Sequence, residues 1–63
     1  MSEQGVDGII QMIKEEDEKI RRIEESYAAH NLAPRAGFIA TLKMRVYRGK
    51  LEEALLALIE SKS

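Results

Sequence analysis

The sequence predicts an all-α protein, and three observations support that prediction. In the first half of the chain, large apolar residues recur three, four or seven positions apart. On a helix, at about 100° per residue, they share one arc of about 80°. These residues are Ile9, Ile13, Ile20, Ile23 and Tyr27. A turn signature stands near the middle of the chain, and the second half again follows helical spacing. We therefore expect two antiparallel helices joined by a short turn.

The turn signature is the segment NLAP, which runs from Asn31 to Pro34. Asparagine readily adopts the left-handed backbone conformation that ends many helices. Leu32 would then fold back on Tyr27, as the usual capping contact requires. Proline suits the first turn of a helix, because the N–H that it lacks would have no partner there.

These signals divide a single small helical domain, residues 1–63, into three predicted elements. The elements are a helix over about 6–30, a turn over 31–33 and a helix over about 34–61. Asp7 is the expected N-terminal cap of the first helix, since a short acidic side chain can accept hydrogen bonds from free backbone N–H groups.

The second predicted helix is apolar on two faces that lie about 150° apart, and a supercoil drift of only ~20° per heptad cannot merge them. The first face consists of Phe38, Ile39, Leu42 and Val46, and the second of Met44, Tyr47, Leu51, Leu55 and Leu58. If the helix continues through Gly49, at a cost of about 1 kcal/mol relative to alanine, the chain is a two-helix antiparallel hairpin. The first face would then cover helix one. The second would form a partner or dimer interface, and two hairpins would make a four-helix bundle.

The alternative is that the helix breaks at Gly49 and the chain forms a three-helix domain. The segment YRGKLEEALLALIE resembles the inter-helix turn of a tetratricopeptide repeat, in which a glycine ends one helix and an alanine five residues later packs in the crossing. Gly49 and Ala54 would take those places. Thr41, Leu42 and Arg45 depart from the rest of that repeat, so the resemblance implies a helix-turn-helix at this turn only.

The acidic stretch IKEEDEKI is interpreted as a solvated helix surface. Three acids are followed four residues later by a base, an arrangement worth roughly 0.2–0.5 kcal/mol per pair. The pairs are Glu15 with Lys19, Asp17 with Arg21, and Glu18 with Arg22. Glu16 lies on the apolar arc, and no base follows it at that spacing. We predict that it forms an inter-helix ion pair with Arg45 or Arg48 and has no catalytic role.

Composition narrows the functional classes. With 63 residues and no cysteine, the chain has no disulfide to stabilise a small core, so self-association as a dimer is the expected source of further buried area. The chain has one histidine, His30, which excludes a multi-histidine metal site and is expected to have a capping or surface role at the end of the first helix. No cofactor is predicted. The longest apolar run, residues 54–59, is too short to span a bilayer. No signal peptide is apparent, and the absence of cysteine favours a cytoplasmic protein.

Charge is segregated along the chain, because no acid occurs between Glu25 and Glu52. The bases in that interval are Arg35, Lys43, Arg45, Arg48 and Lys50. They would be the contacts of a small nucleic-acid-binding regulator, which is the alternative function. The main expectation is a non-enzymatic helical protein–protein interaction module. Such a module would be a small adaptor, chaperone or regulator that acts through a homodimer or a partner helix of unknown identity.

Overall fold

The structure, a computed structural model, describes the backbone of residues 2–62 and the side chains of residues 5–61. It contains three helices and no strand within that range. They are α1 (Ser2–Ala29), α2 (Pro34–Ala40) and α3 (Leu42–Lys62). The prediction of an all-α protein is confirmed. Helix α1 begins earlier than predicted, so Asp7 lies inside the helix and does not cap it. Packing explains the earlier start, because the Leu58 side chain lies beside Gly5.

The turn between α1 and α2 has the predicted geometry. Asn31 has a φ of 58°, and its N–H donates to the carbonyl oxygen of Ala28 at 3.0 Å. The N–H of Leu32 donates to the carbonyl oxygen of Tyr27, also at 3.0 Å. These two bonds form the Schellman motif, which satisfies carbonyl groups at the end of α1. Pro34 then occupies the first turn of α2, as predicted.

Helices α2 and α3 are separated by a single residue, Thr41, which is fully buried. Its hydroxyl group points at the carbonyl oxygens of Gly37 and Phe38, at 3.0 and 3.1 Å. A threonine that bonds back onto the preceding turn bends a helix, because its hydroxyl competes with the backbone for those carbonyls. We refer to α2 and α3 together as the second arm.

Helix α3 continues without interruption through Gly49. No glycine among the described residues has the positive φ that would end a helix. The alternative, a break at Gly49, is therefore wrong, and the helix continues through Gly49 as the main prediction has it. The turn that resembles a tetratricopeptide repeat is therefore absent. The interruption lies eight residues earlier, at Thr41, where a side-chain hydroxyl competes for the helical carbonyls.

Helix α1 runs antiparallel to the second arm. Gly5 lies near Leu58, and Asp17 pairs with Arg48. The described part of the chain is elongated, with extents of 47 × 15 × 13 Å. The core between the arms is thin. Only Ile20 and Leu51 are buried large apolar residues in the described range, so little of the apolar surface is removed from water.

Candidate interaction surface

The side of the second arm that is turned toward α1 is named the inner face. Its members recur three or four residues apart and are all buried or half-buried. They are Thr41, Met44, Arg48, Leu51, Leu55 and Leu58. On α1 the matching residues follow the same spacing, and they include Ile13, Glu16, Ile20 and Ile23. Two such rows pack side by side as in a short antiparallel coiled coil.

The opposite side of the second arm, the outer face, is also apolar, and no other part of residues 5–61 covers it. Its large apolar residues are Phe38, Ile39, Leu42, Val46, Leu56 and Ile59, and each of them is exposed. Val46, for example, is 57% exposed. The expectation that the Phe38–Val46 face covers helix one is therefore wrong. The second arm is rotated so that these side chains point away from α1.

The five residues predicted to form a partner or dimer interface lie mostly on the inner face. Leu51 is 9% exposed and already buried inside the chain, so it is not available to a partner. Met44, Leu55 and Leu58 are half-buried. Tyr47 is 44% exposed and lies between the two faces. Whether the four residues other than Leu51 also contact a second chain stays a prediction.

Two arginines of the second arm link it to α1. Arg45 pairs with Glu24 at 2.5 Å, and Arg48 pairs with Asp17 and with Glu52, the latter at 2.9 Å. The hydrogen bond to Asp17, followed by that to Glu52, raises the pKa of Arg48 above its ordinary value. Both arginines thus lie where an inter-helix ion pair was predicted, but their acidic partners are not Glu16.

Glu16 lies in the apolar row of α1 and is 8% exposed. Its nearest base is Lys19 on the same helix, at 3.8 Å. The physical reason for the changed partners is the rotation of the second arm. That rotation places the arginine side chains along the edges of the inter-arm contact, where Asp17 and Glu24 are half-exposed.

Arg45 also connects α1 to the bend at Thr41. Its Nε donates to the Thr41 hydroxyl oxygen at 3.1 Å, and its guanidinium lies over the Phe38 ring, 4.8 Å from the ring centroid. A cation above an aromatic face is attracted by the ring quadrupole. The chain of contacts from Glu24 through Arg45 to Thr41 thus fixes the direction in which the outer face points. Sequence reasoning missed this network, because its only local signal is a threonine four residues before an arginine.

The five bases that were candidates for nucleic-acid contacts divide into two groups. Arg45 and Arg48 are engaged with acids of the same chain. Arg35, Lys43 and Lys50 are exposed, and none of them has an acidic partner among the described residues.

His30 is exposed at the end of α1, and its Nδ1 lies 2.8 Å from the carbonyl oxygen of Ser26, in agreement with the predicted capping role.

Two concave regions occur between the arms. A shallow, charged one of about 480 Å³ lies over Ile20, and its rim carries the Asp17–Arg48 and Glu24–Arg45 pairs. A smaller apolar one of about 230 Å³ lies at the turn, lined by Tyr27, Leu32 and Pro34 among others. The first is a region of satisfied ion pairs. The second is lined mostly by apolar groups, and its carboxylate, Glu24, is paired with Arg45.

Within the described residues, no cluster of three or more histidine, cysteine, aspartate or glutamate side chains is positioned to bind a metal ion. No helix there is long and apolar enough to cross a membrane. Comparison with protein-family models, with curated proteins and with solved structures finds no match to this chain.

Proposed function

We propose that this chain is a non-enzymatic helical protein–protein interaction module that binds through its outer face. The observation that supports the proposal is the row of exposed apolar side chains along one side of the second arm, from Phe38 to Ile59. Single exposed apolar residues are ordinary on soluble proteins, but clusters of them mark contact surfaces. Here one cluster spans Phe38 to Val46 and a second spans Leu56 to Ile59. The occupant would be a partner helix or a second copy of the chain. In the second case the homodimer would form a four-helix bundle.

The energetics of a small domain support the same proposal. A single core in a chain below about 70 residues rarely supplies more than 3–5 kcal/mol, and here that core contains two buried large apolar residues in the described range. Covering the outer face would remove further apolar area from water, at roughly 25 cal/mol per Å². A role as a small adaptor, chaperone or regulator fits a module whose folding and binding are linked in this way.

The test is sedimentation equilibrium combined with thermal unfolding at several protein concentrations. We expect the wild type to self-associate and its melting temperature to rise with concentration, because association stabilises the folded state by mass action. The double variant Ile39→Glu, Val46→Glu should lose both properties and keep its helical circular dichroism.

A matched control is Met12→Glu, since Met12 is an exposed apolar residue on α1, outside the outer face. This variant should behave as the wild type. A monomeric wild type, with a melting temperature independent of concentration, would argue against self-association. If the outer-face and Met12 variants then showed equal solubility and stability, the outer face would have no special role.

A second candidate function is a small nucleic-acid-binding regulator, favoured by the three exposed bases without acidic partners, Arg35, Lys43 and Lys50. If all three contact phosphates of duplex DNA, the logarithm of the binding constant should fall against the logarithm of salt concentration with a slope near −3. Fluorescence anisotropy with duplex and single-stranded probes measures that slope. No binding at low salt would remove this candidate.

A further inference from the structure

Along the outer face, one set of positions recurs at alternating intervals of three and four residues. The positions are Ile39, Leu42, Val46, Gly49, Glu53 and Leu56. This is the spacing of the a and d positions of a coiled coil, and Phe38 and Ile59 lie directly beside it. Four of the six exposed large apolar residues of the outer face therefore share one helical stripe.

We propose that the occupant of this stripe is a second copy of the chain, whose second arm lies antiparallel across it. This inference rests on the proposed function and deepens it by naming the partner and its orientation. The two-fold axis falls between Val46 and Gly49. Ile39 then faces Leu56 of the second copy, and Val46 faces Gly49 of the second copy. Phe38 comes close to Ile59 of the second copy, so the apolar ends of the stripe cover each other.

Charge selects the antiparallel orientation. In a parallel pair, each Glu53 would face Glu53 of the second copy within the contact, which places two like charges opposite each other. In the antiparallel pair Glu53 faces Leu42, and the neighbouring Lys43 brings an ammonium group to the carboxylate. Lys43 and Glu53 are both exposed, and neither has an ion-pair partner among the described residues. Lys50 comes near Lys43 of the second copy, but long lysine side chains keep their charge in water.

Gly49 has a physical explanation in this arrangement. A glycine inside a helix destabilises it by about 1 kcal/mol relative to alanine, and nothing in the single chain requires it. A Cβ atom at this position would meet no other atom within 4 Å, and the backbone there is ordinary helix. At the two-fold axis, the absent side chain allows the two α3 helices to approach closely around Val46.

The experiment uses the absence of cysteine in the chain. A tagged Ile39→Cys chain and an untagged Leu56→Cys chain are mixed, unfolded, refolded together and gently oxidised. Non-reducing electrophoresis then separates the mixed dimer from the two homodimers. The antiparallel arrangement predicts a several-fold excess of the mixed, tagged–untagged disulfide. A tagged Lys14→Cys chain, which carries its thiol on the exposed surface of α1, replaces the Ile39→Cys chain as the control and should give no such excess.

The outcomes separate the two proposals. A self-associating wild type whose cysteine variants form mainly homodisulfides would overturn the antiparallel arrangement and leave the interaction module intact. A wild type that sediments as a monomer at high micromolar concentration would overturn the second copy as occupant. The outer face would then be open to a helix of another protein. Circular dichroism of each reduced variant shows that the substitutions leave the helices formed.

Discussion

The inner and outer faces of the second arm are similar in sequence and opposite in environment. Both follow the three-and-four spacing of a helix that packs along another helix. On the inner face Leu51 is nearly inaccessible to water, whereas on the outer face the equally apolar Leu56 is 55% exposed. Apolar content alone therefore does not determine which side of this arm packs against α1.

Polar groups distinguish the two faces. The inner face includes Thr41 and Arg48, and its edge carries Arg45. All three find partners that α1 or the bend supplies. If the arm were rotated to place Leu42 and Val46 against α1, the ion pairs of Arg45 and Arg48 with α1 would be lost. The Thr41 hydroxyl would then be exposed to water. The hydrogen bonds and ion pairs at the rim therefore favour this rotation of a helix that has two apolar sides.

The largest effect on the stability of the folded chain is expected from a substitution to aspartate on the inner face. Leu51→Asp should unfold the chain, because truncating a buried leucine alone costs about 2–5 kcal/mol. That loss equals the whole stability expected of so small a core, and the buried carboxylate adds to it. Far-ultraviolet circular dichroism should show loss of helix at every protein concentration.

Leu56→Asp is the matched substitution on the outer face. It should keep the helical spectrum and lose only the dependence of stability on concentration, since Leu56 is exposed in the single chain. If Leu56→Asp unfolded the chain as completely as Leu51→Asp, the two faces would contribute equally to folding, and the single chain would not be the folding unit.

The sequence predicted the all-α class and the turn correctly, because both depend on local chemistry. Asn31, Leu32 and Pro34 act within a few residues, so their pattern could be read directly. The orientation of the second arm could not, because it depends on contacts such as Glu24 with Arg45, which are 21 residues apart. The bend at Thr41 was missed for a related reason. A threonine inside a helical pattern is common, and only its burial shows that its hydroxyl bonds back to Gly37.

A smaller effect is expected at the contact that fixes the rotation. Thr41→Val keeps the side-chain shape and removes the hydroxyl that accepts from Arg45 Nε. The expected loss is about 1–2 kcal/mol in the free energy of unfolding, because the hydroxyl also donates to the carbonyl oxygens of Gly37 and Phe38 and each hydrogen bond contributes about 1 kcal/mol net. Urea denaturation measures it. In an Arg45→Met background the same substitution should cost less, because the donor is gone. Equal costs in the two backgrounds would show that the Arg45–Thr41 bond does not stabilise the bend.

The smallest effect on stability is expected from substitutions on the exposed surface of α1, away from the inner and outer faces of the second arm. The hydrogen bond from Arg21 is the main cause that lowers the pKa of Glu18 below its ordinary value of 4.5, and Arg22 adds to it. A lowered pKa in the folded state means that the pair stabilises the protein above the unfolded-state pKa. That contribution disappears as the pH falls through the folded-state value.

Arg21→Gln should therefore raise the pKa of Glu18, and Arg22→Gln should raise it less, as measured by NMR titration of the side-chain carboxyl. Because the pair is exposed and close along one helix, high salt should reduce the difference between the variants. Neither variant should alter sedimentation, since the pair contacts neither the inner nor the outer face. A change in association state from Arg21→Gln would place the acidic surface of α1 in the interface and contradict the assignment of that interface to the second arm.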